Sequence, residues 1–366
     1  MIPVLYMRRR HVSIGIACTI LGLLTYFSSM SLGTTRPTWN GADNATLGFG
    51  GIFVLTENTH TWRVQGLHMA AALVGLDLTI LTQTPKTESE VHDYIADDKV
   101  DKHADYVKAT LNYLHLLEQF IETGYETALF VEDDVDFSIM IKDQMSALAN
   151  TFATLQTSTN ESSDPYNKAD WDVLWLGHYG LEFTEQTKIT HYTDPHALPW
   201  GSLKSNFNNY YEQQKVAETQ SGQSEQQIAH NVAPLSTYAW ATTRTHAQWL
   251  VKEFTSNRLQ TFDVGLHILC RGLRHRCVAP VPELMHHHRV VGSKSIGRPG
   301  FFGDSEGLVW WQRILNQYKG EDLDWWRHAT KHTYNIEWSA RCNAAETGER
   351  SGDRWQCLPK DEHAEL

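Results

Sequence analysis

Short apolar runs alternate with amphipathic stretches along the first half of the chain. Runs of strand length predict buried strands, and they cover Gly50–Thr56, Leu78–Thr82, Thr127–Val131 and Asp172–Gly177. Between them, apolar residues recur every three or four positions and predict helices over Trp62–Leu76, from Leu111 to a stop at Gly124, and over Ile139–Leu155. This alternation predicts an α/β domain whose sheet has helices on both faces.

The pattern weakens after Leu181, where Gln, Asn, Ser and Thr dominate. We interpret about 182–232 as a polar insertion or lid, because long irregular segments inside compact domains are functional or disordered. Order returns with a strand over Ser236–Thr243 and a helix through Phe254. We therefore expect one body over 46–343, with a stem at 34–45 before it and a polar tail at 344–366 after it.

The N-terminus carries a basic cluster, Arg8 to Arg10, before the uncharged segment Val12–Gly33. That segment is about as long as the roughly 20 residues that cross a bilayer, and basic residues stay on the cytoplasmic side. We expect 1–11 to be a cytoplasmic tail and 12–33 a signal anchor, giving a single-pass type II protein with a lumenal body. A cleaved signal peptide is the alternative.

Two further signals favour the endoplasmic reticulum or Golgi. The chain ends in HAEL, residues 363–366, one substitution from the retrieval signal HDEL that an endoplasmic-reticulum receptor reads. The alternative is an ordinary charged tail. Acceptor sequons for N-glycosylation begin at Asn44 and Asn160. Four cysteines lie outside the predicted anchor, and proximity favours the disulfides Cys270–Cys277 and Cys342–Cys357 over free buried thiols.

Charge excludes one class of function. The 366 residues carry 31 Lys and Arg against 43 Asp and Glu, a formal net charge of −12. Because nucleic-acid binding requires a basic face, we expect no nucleic-acid partner.

Four carboxylates follow the apolar strand Thr127–Val131, and they are Glu132, Asp133, Asp134 and Asp136. Ligands collect beyond the carboxyl ends of strands in open α/β sheets. A divalent cation stabilises carboxylates that would otherwise repel one another, and hard oxygen ligands favour Mn²⁺ or Mg²⁺ with a nucleotide diphosphate as the third party. The alternative is a solvated acidic loop.

The block ALFVEDDVDF, residues 128–137, resembles the acidic motif of family 25 glycosyltransferases, the lipooligosaccharide and procollagen galactosyltransferase group, in its fungal branch. Other blocks agree in order, and they are TLGFGGIFVLT, DWDVLWLGHYG, STYAWATTRTHAQWL, FDVGLHILC, PELMHHHRVVG and TYNIEWSARCN. The resemblance implies a single A-type glycosyltransferase domain, with a nucleotide-sugar-binding Rossmann-like sheet, that moves a hexose, galactose or glucose, from a UDP-sugar to a lumenal glycan or glycoprotein with inversion.

The resemblance also implies site residues. Glu132, Asp133 and Asp134 would contact the donor, and Asp134 and Asp136 would bind Mn²⁺. His287 and His288, in the run that starts at His286, would be metal ligands or phosphate contacts; the alternative is an exposed basic patch.

Two more positions are carried over with open alternatives. Asp263 is the candidate base that deprotonates the acceptor hydroxyl, or an acid that stabilises the first turn of a helix. Arg63 would meet phosphate or merely project from the first helix.

The chain departs from the family pattern at three places, which are Lys108-Ala109-Thr110, Lys294-Ser295-Ile296 and His60. A degenerate relative, binding sugar or acting as a lumenal scaffold on the same fold, is therefore the alternative function.

Overall fold

The computed structural model describes residues 41–95, 104–155, 165–166, 168, 170–198, 225–258, 261–288, 336 and 338–347. All of them belong to one compact unit, Asn40–Leu366. The predicted anchor at 12–33 and the HAEL terminus lie outside the described residues. Among the helices that are described, none has the length and apolar character needed to span a membrane.

Seven helices and ten strands make up the described part of the chain. The helices are α1 (Trp62–Val74), α2 (Glu88–Ile95), α3 (Ala104–Thr123), α4 (Ile141–Leu155), α5 (Arg244–Asn257), α6 (Phe262–Arg271) and α7 (Ala340–Thr347). The strands are β1 (Ile52–Thr56), β2 (Leu78–Thr82), β3 (Thr127–Glu132), β4 (Val135–Phe137), β5 (Val173–Gly177), β6 (Leu181–Thr193), β7 (Glu225–Pro234), β8 (Ala239–Thr243), β9 (Cys277–Val281) and β10 (Met285–His287).

Eight strands form one mixed sheet in the order β2-β1-β3-β8-β5-β9-β7-β6. Strand β1 is parallel to β2 and β3, and β5 is parallel to β9, whereas β8 runs antiparallel between β3 and β5. The carboxyl ends of β1, β3, β5 and β9 therefore meet at one edge of the sheet. Strands β4 and β10 form a separate antiparallel pair, which follows β3 and β9 at that edge.

Helices cover both faces of the large sheet. Side chains alternate along a strand, so Leu129 and Val131 of β3 pack in a core with α1, α4 and α7, while Ala128 and Phe130 pack in a second core with α2, α3, α5 and α6. The predicted α/β class with two covered faces is confirmed.

Most predicted elements are confirmed with small shifts at their ends. Helix α2, however, lies in a polar stretch for which the sequence pattern predicts no helix or strand. Its start is a capping box: the backbone N of Thr87 donates to Oε2 of Glu90 at 2.7 Å, and the backbone N of Glu90 donates to Oγ1 of Thr87 at 3.2 Å. The spacing Thr-x-x-Glu is the sequence signal for such a start.

The polar segment predicted over about 182–232 has regular structure at both ends. Strands β6 and β7 pair antiparallel at one edge of the large sheet, while residues 199–224 lie outside the described part of the chain. Polar faces are compatible with an edge position, because one side of such a hairpin meets solvent.

The predicted Cys270–Cys277 disulfide is confirmed. It joins the end of α6 to the start of β9. Cys342 is also disulfide-bonded, and its predicted partner Cys357 lies outside the described residues.

Candidate metal centre

The segment 132–136, here called the acidic turn, carries four carboxylates and leads from the end of β3 into β4. It lies at the edge of the sheet where the parallel strands end. Strand β10 pairs with β4, so that His287 lies opposite Val135 and His286 opposite Asp136. The backbone N of His288 donates to the carbonyl of Asp134 at 2.7 Å. The pairing brings the histidine run against the acidic turn.

Three side chains converge beside this turn: Glu132, Asp134 and His287 place one potential ligand atom each within 4.8 Å of one another. Nε2 of His287 lies 3.4 Å from Oε2 of Glu132 and 3.6 Å from Oδ1 of Asp134. Two carboxylate oxygens and one imidazole nitrogen form a donor set that suits a divalent metal ion.

Two of the three ligand atoms are buried without a hydrogen bond. Oδ1 of Asp134 and Nε2 of His287 have no hydrogen-bond partner among the described residues. Buried polar atoms are nearly always satisfied, and an orphaned pair calls for an explanation such as an ion. These atoms fit a metal ion.

Tyrosines orient two of the ligands. Oη of Tyr113 donates to Oε1 of Glu132 at 2.6 Å, while burial and the Glu132 charge raise the pKa of Tyr113, so its hydroxyl stays protonated. Oη of Tyr179 is hydrogen-bonded to Nδ1 of His287. In the tautomer with the proton on Nδ1, Tyr179 accepts and Nε2 keeps its lone pair for a ligand. Outer partners of this kind fix ligand orientation in metal sites.

An aromatic contact holds His287 from a second side. Its ring centroid lies 4.2 Å from that of Tyr238. The Tyr238 ring fits against β5 because residue 177 is glycine, since a Cβ there would overlap the ring.

Arg63 from α1 faces the acidic turn. Its Nη1 lies 3.1 Å from Oδ2 of Asp134 and 3.6 Å from Oδ1 of Asp133. Burial alone lowers the pKa of Arg63, but the carboxylates of Asp134 and Asp133 outweigh that effect and raise it.

The two aspartates of the turn have opposite pKa shifts. For Asp134, burial raises the pKa, but His287 and Arg63 outweigh burial and lower it. For Asp133, burial and the neighbouring Asp134 raise the pKa to about 6. Asp133 also accepts a hydrogen bond from Oγ1 of Thr56 at 2.7 Å. Of these two aspartates, Asp134 is therefore the one whose ionised form the site favours.

Asp136 and His288 lie outside the converging triad. The Asp136 carboxylate is fully buried, and it accepts hydrogen bonds from Oγ of Ser339 at 2.6 Å and from the backbone N of Arg341 at 3.1 Å. Nδ1 of His288 lies 3.9 Å from Oδ2 of Asp136. Burial and Arg341 lower the pKa of His288 to about 4, so the ring is neutral.

Asp263 lies in the first turn of α6, as the helix alternative requires, and its electrostatic neighbours include Glu132. Burial raises its pKa, and the Glu132 charge raises it further. A partly buried carboxyl with a raised pKa has the properties of a general base, and both interpretations of Asp263 agree with its position.

Sequence reasoning missed Tyr113, Tyr179, Ser339 and Arg341. Tyr113 lies on an amphipathic helix where periodicity predicts core, and Tyr179 follows the predicted strand Asp172–Gly177, where no pattern marks a tyrosine as a partner of a site residue. Ser339 and Arg341 contact residues more than two hundred positions earlier in the chain, and no local pattern encodes such a contact.

Comparisons with known proteins add little. No family model and no curated protein matches the chain. Among solved structures, the chain is similar to the one titled "Crystal Structure of A197 from STIV", with 10% identity over 69% of this chain and 99% of that one. The TM-score of 0.32 is too low to carry an argument.

Proposed function

We propose that the protein is a metal-dependent glycosyltransferase that moves a hexose, galactose or glucose, from a UDP-sugar to a lumenal glycan or glycoprotein acceptor with inversion. One observation carries the proposal: Oδ1 of Asp134 and Nε2 of His287 are buried, unsatisfied and 3.6 Å apart at the carboxyl edge of the sheet. A metal ion there lies where α/β sheets bind nucleotides.

Mn²⁺ is the ion that we propose. Carboxylate oxygens favour hard ions such as Mn²⁺ and Mg²⁺, and an imidazole nitrogen favours a first-row transition metal over Mg²⁺. Bound between Glu132, Asp134 and His287, the ion would supply Lewis-acid stabilisation of charge on the departing diphosphate.

The protein's own side chains complete the proposed chemistry. Arg63 is positioned to bind phosphate beside Asp134. Asp263 takes the proton of the acceptor hydroxyl. The oxygen of that hydroxyl then bonds to the anomeric carbon, while the bond from that carbon to the diphosphate oxygen breaks. A single displacement of this kind inverts the anomeric centre.

The resemblance to family 25 glycosyltransferases supports the choice of reaction and of the A-type fold. The mixed sheet with a separate β4–β10 pair at its carboxyl edge agrees with that proposal. The departures at Lys108–Thr110, Lys294–Ile296 and His60 favour the second candidate, a degenerate sugar-binding or scaffold protein.

Titration calorimetry of the full-length chain with UDP, in the presence and absence of Mn²⁺, tests the metal centre. We expect no measurable UDP binding without a divalent ion, strong binding with Mn²⁺ and weaker binding with Mg²⁺. Zn²⁺ binds imidazole-containing sites tightly, so added Zn²⁺ should compete with Mn²⁺ for the site. A protein that binds neither ion nor UDP contradicts the proposal.

A donor screen separates the enzyme from the scaffold. Each UDP-hexose is incubated with the protein and Mn²⁺, and released UDP is measured. Mn²⁺-dependent release with one donor supports the transferase. Coupled binding of Mn²⁺ and UDP without release from any donor, with or without glycan acceptors, supports the degenerate protein.

A further inference from the structure

The guanidinium of Arg341 contacts the backbone of the acidic turn. Nε donates to the carbonyl of Val135 at 2.6 Å, Nη2 to that of Asp133 at 2.6 Å, and Nη1 to that of Arg63 at 2.9 Å. These three carbonyls belong to the turn itself and to the first turn of α1. One side chain therefore joins the turn to the helix that carries Arg63.

Arg341 is fully buried. Burial lowers its pKa to about 10, partly offset by the charge of Asp136, so the group remains a cation at neutral pH. A buried cation is costly unless it is hydrogen-bonded and near opposite charge. Here three carbonyls accept from the guanidinium, and the charges of Asp136, Asp134 and Asp133 favour its charged form.

Asp136 and Ser339 fix the helix that carries Arg341. Oγ of Ser339 accepts from the backbone N of Cys342 at 3.0 Å, as an N-cap does, and donates to Asp136. The Asp136 carboxylate also accepts from the backbone N of Arg341, so it sits at the positive end of α7. The start of α7 is thereby tied to β4.

We propose that Arg341 is the positioning residue of the metal centre: by binding three backbone carbonyls it sets the conformation of the acidic turn and hence the place of the Asp134 carboxylate. The inference rests on the proposed function for the identity of the metal. It also assigns Asp136 to the anchoring of α7 and not to the ion. Lysine cannot replace Arg341, because one ammonium group lacks the planar fork that reaches three separate acceptors.

Arg341→Lys tests the proposal in the full-length chain. The first measurement is backbone hydrogen exchange of the segment 132–137 without metal, and we expect it to be at least about tenfold faster than in the parent protein. The second is the Kd for Mn²⁺ alone, expected to be at least about tenfold weaker, as for other outer partners of metal ligands.

Two control variants separate positioning from stability. Arg276→Lys removes the paired hydrogen bonds between the Arg276 guanidinium and Asp172, whose Nη2–Oδ1 distance is 2.6 Å. This pair lies at the amino ends of β5 and β9, away from the acidic turn, and we expect both measurements to stay at the parent values. Phe152→Leu weakens the core that packs on α1, and it should lower the melting temperature without changing the Kd for Mn²⁺. Weakened Mn²⁺ binding in Phe152→Leu that follows its loss of stability would overturn the positioning role.

The outcomes are distinguishable from those of the proposed function. A folded Arg341→Lys protein with parental exchange and parental Mn²⁺ affinity overturns this inference. A parent protein that binds no Mn²⁺ overturns the metal proposal, while the exchange measurement still decides whether Arg341 orders the turn. If Arg341→Lys does not fold, Ser339→Ala replaces it; we expect about threefold effects on both measurements, and unchanged values overturn the inference.

Discussion

Asp134 and Asp136 lie two positions apart in the acidic turn, yet their carboxylates meet different partners. Asp134 is beside His287 and Arg63, whereas Asp136 is buried against Ser339 and the backbone of Arg341. The same substitution at the two positions should therefore have different effects.

Asp134→Asn should weaken Mn²⁺ binding by at least about tenfold, because a direct carboxylate ligand contributes more than about 1.4 kcal/mol in a water-poor site. Thermal stability should stay close to that of the parent protein. Calorimetry with Mn²⁺ and melting curves check both statements. Asp143→Asn, at a half-exposed position of α4, is the matched control and should bind Mn²⁺ normally. Unchanged binding in Asp134→Asn would show that Asp134 is not a metal ligand.

Asp136→Asn should lower stability by about 2 kcal/mol, because hydrogen bonds to a buried charged group contribute about 1.5 to 3 kcal/mol. Its charge also offsets that of Arg341. Urea unfolding without metal measures the loss. A variant that is as stable as the parent but has lost Mn²⁺ binding would return Asp136 to the set of metal ligands.

Asp263→Asn should retain Mn²⁺-dependent UDP binding and lose transfer by about 10² to 10⁴, since positioned acid–base groups contribute that much. Calorimetry measures binding, and UDP release with acceptor present measures transfer. The neighbouring Val264→Ala, at an exposed position, should leave both unchanged. Parental transfer in Asp263→Asn would leave this residue with its helix-start role alone.

His246 should make the protein less stable in acid. It is buried beside Trp249 and His275, and burial, with the charge of His275, lowers its folded-state pKa to about 3, below an unfolded value of about 6.5. Because the folded-state pKa is the lower one, the contribution of neutral His246 to the free energy of unfolding is complete above about pH 6.5. That contribution is lost as the pH falls toward 3. Between pH 7.5 and pH 5 the loss is about 2 kcal/mol.

His246→Phe keeps an aromatic ring in place and should remove this part of the pH dependence. Urea unfolding at the two pH values gives the comparison. An unchanged pH slope in the variant would assign the acid sensitivity to other groups.

The expected membrane topology is tested in sealed microsomes. On the expected type II orientation, protease added outside should leave the region that ends in HAEL intact, since a basic cluster before a membrane span favours a cytoplasmic N-terminus. One extra residue after Leu366 should shift the protein toward the Golgi or the medium, since the receptor requires a free terminus. Cleavage of the C-terminal region would contradict the type II orientation, and an unchanged location would show that HAEL does not set residence.

Local pattern in the sequence determined the central strands and the long helices. The apolar run Thr127–Val131 and the spacing from Leu111 to Gly124 are sufficient because burial on a sheet or helix face imposes a period of two or 3.6 residues. The same reasoning placed acidic residues at a strand end, where ligands bind, and paired Cys270 with Cys277 from their proximity in the chain.

Only the tertiary structure decided which partners each carboxylate of the acidic turn contacts. The motif does not distinguish Asp134 from Asp136, because their roles depend on His287, Ser339 and Arg341, which reach the acidic turn through the β4–β10 pairing and the docking of α7. Such contacts join distant parts of the chain, and their free energy comes from burial and from hydrogen bonds that form only when the whole domain is assembled. No period or spacing in the sequence records these contacts, and for this reason the candidate ligand set follows from the fold.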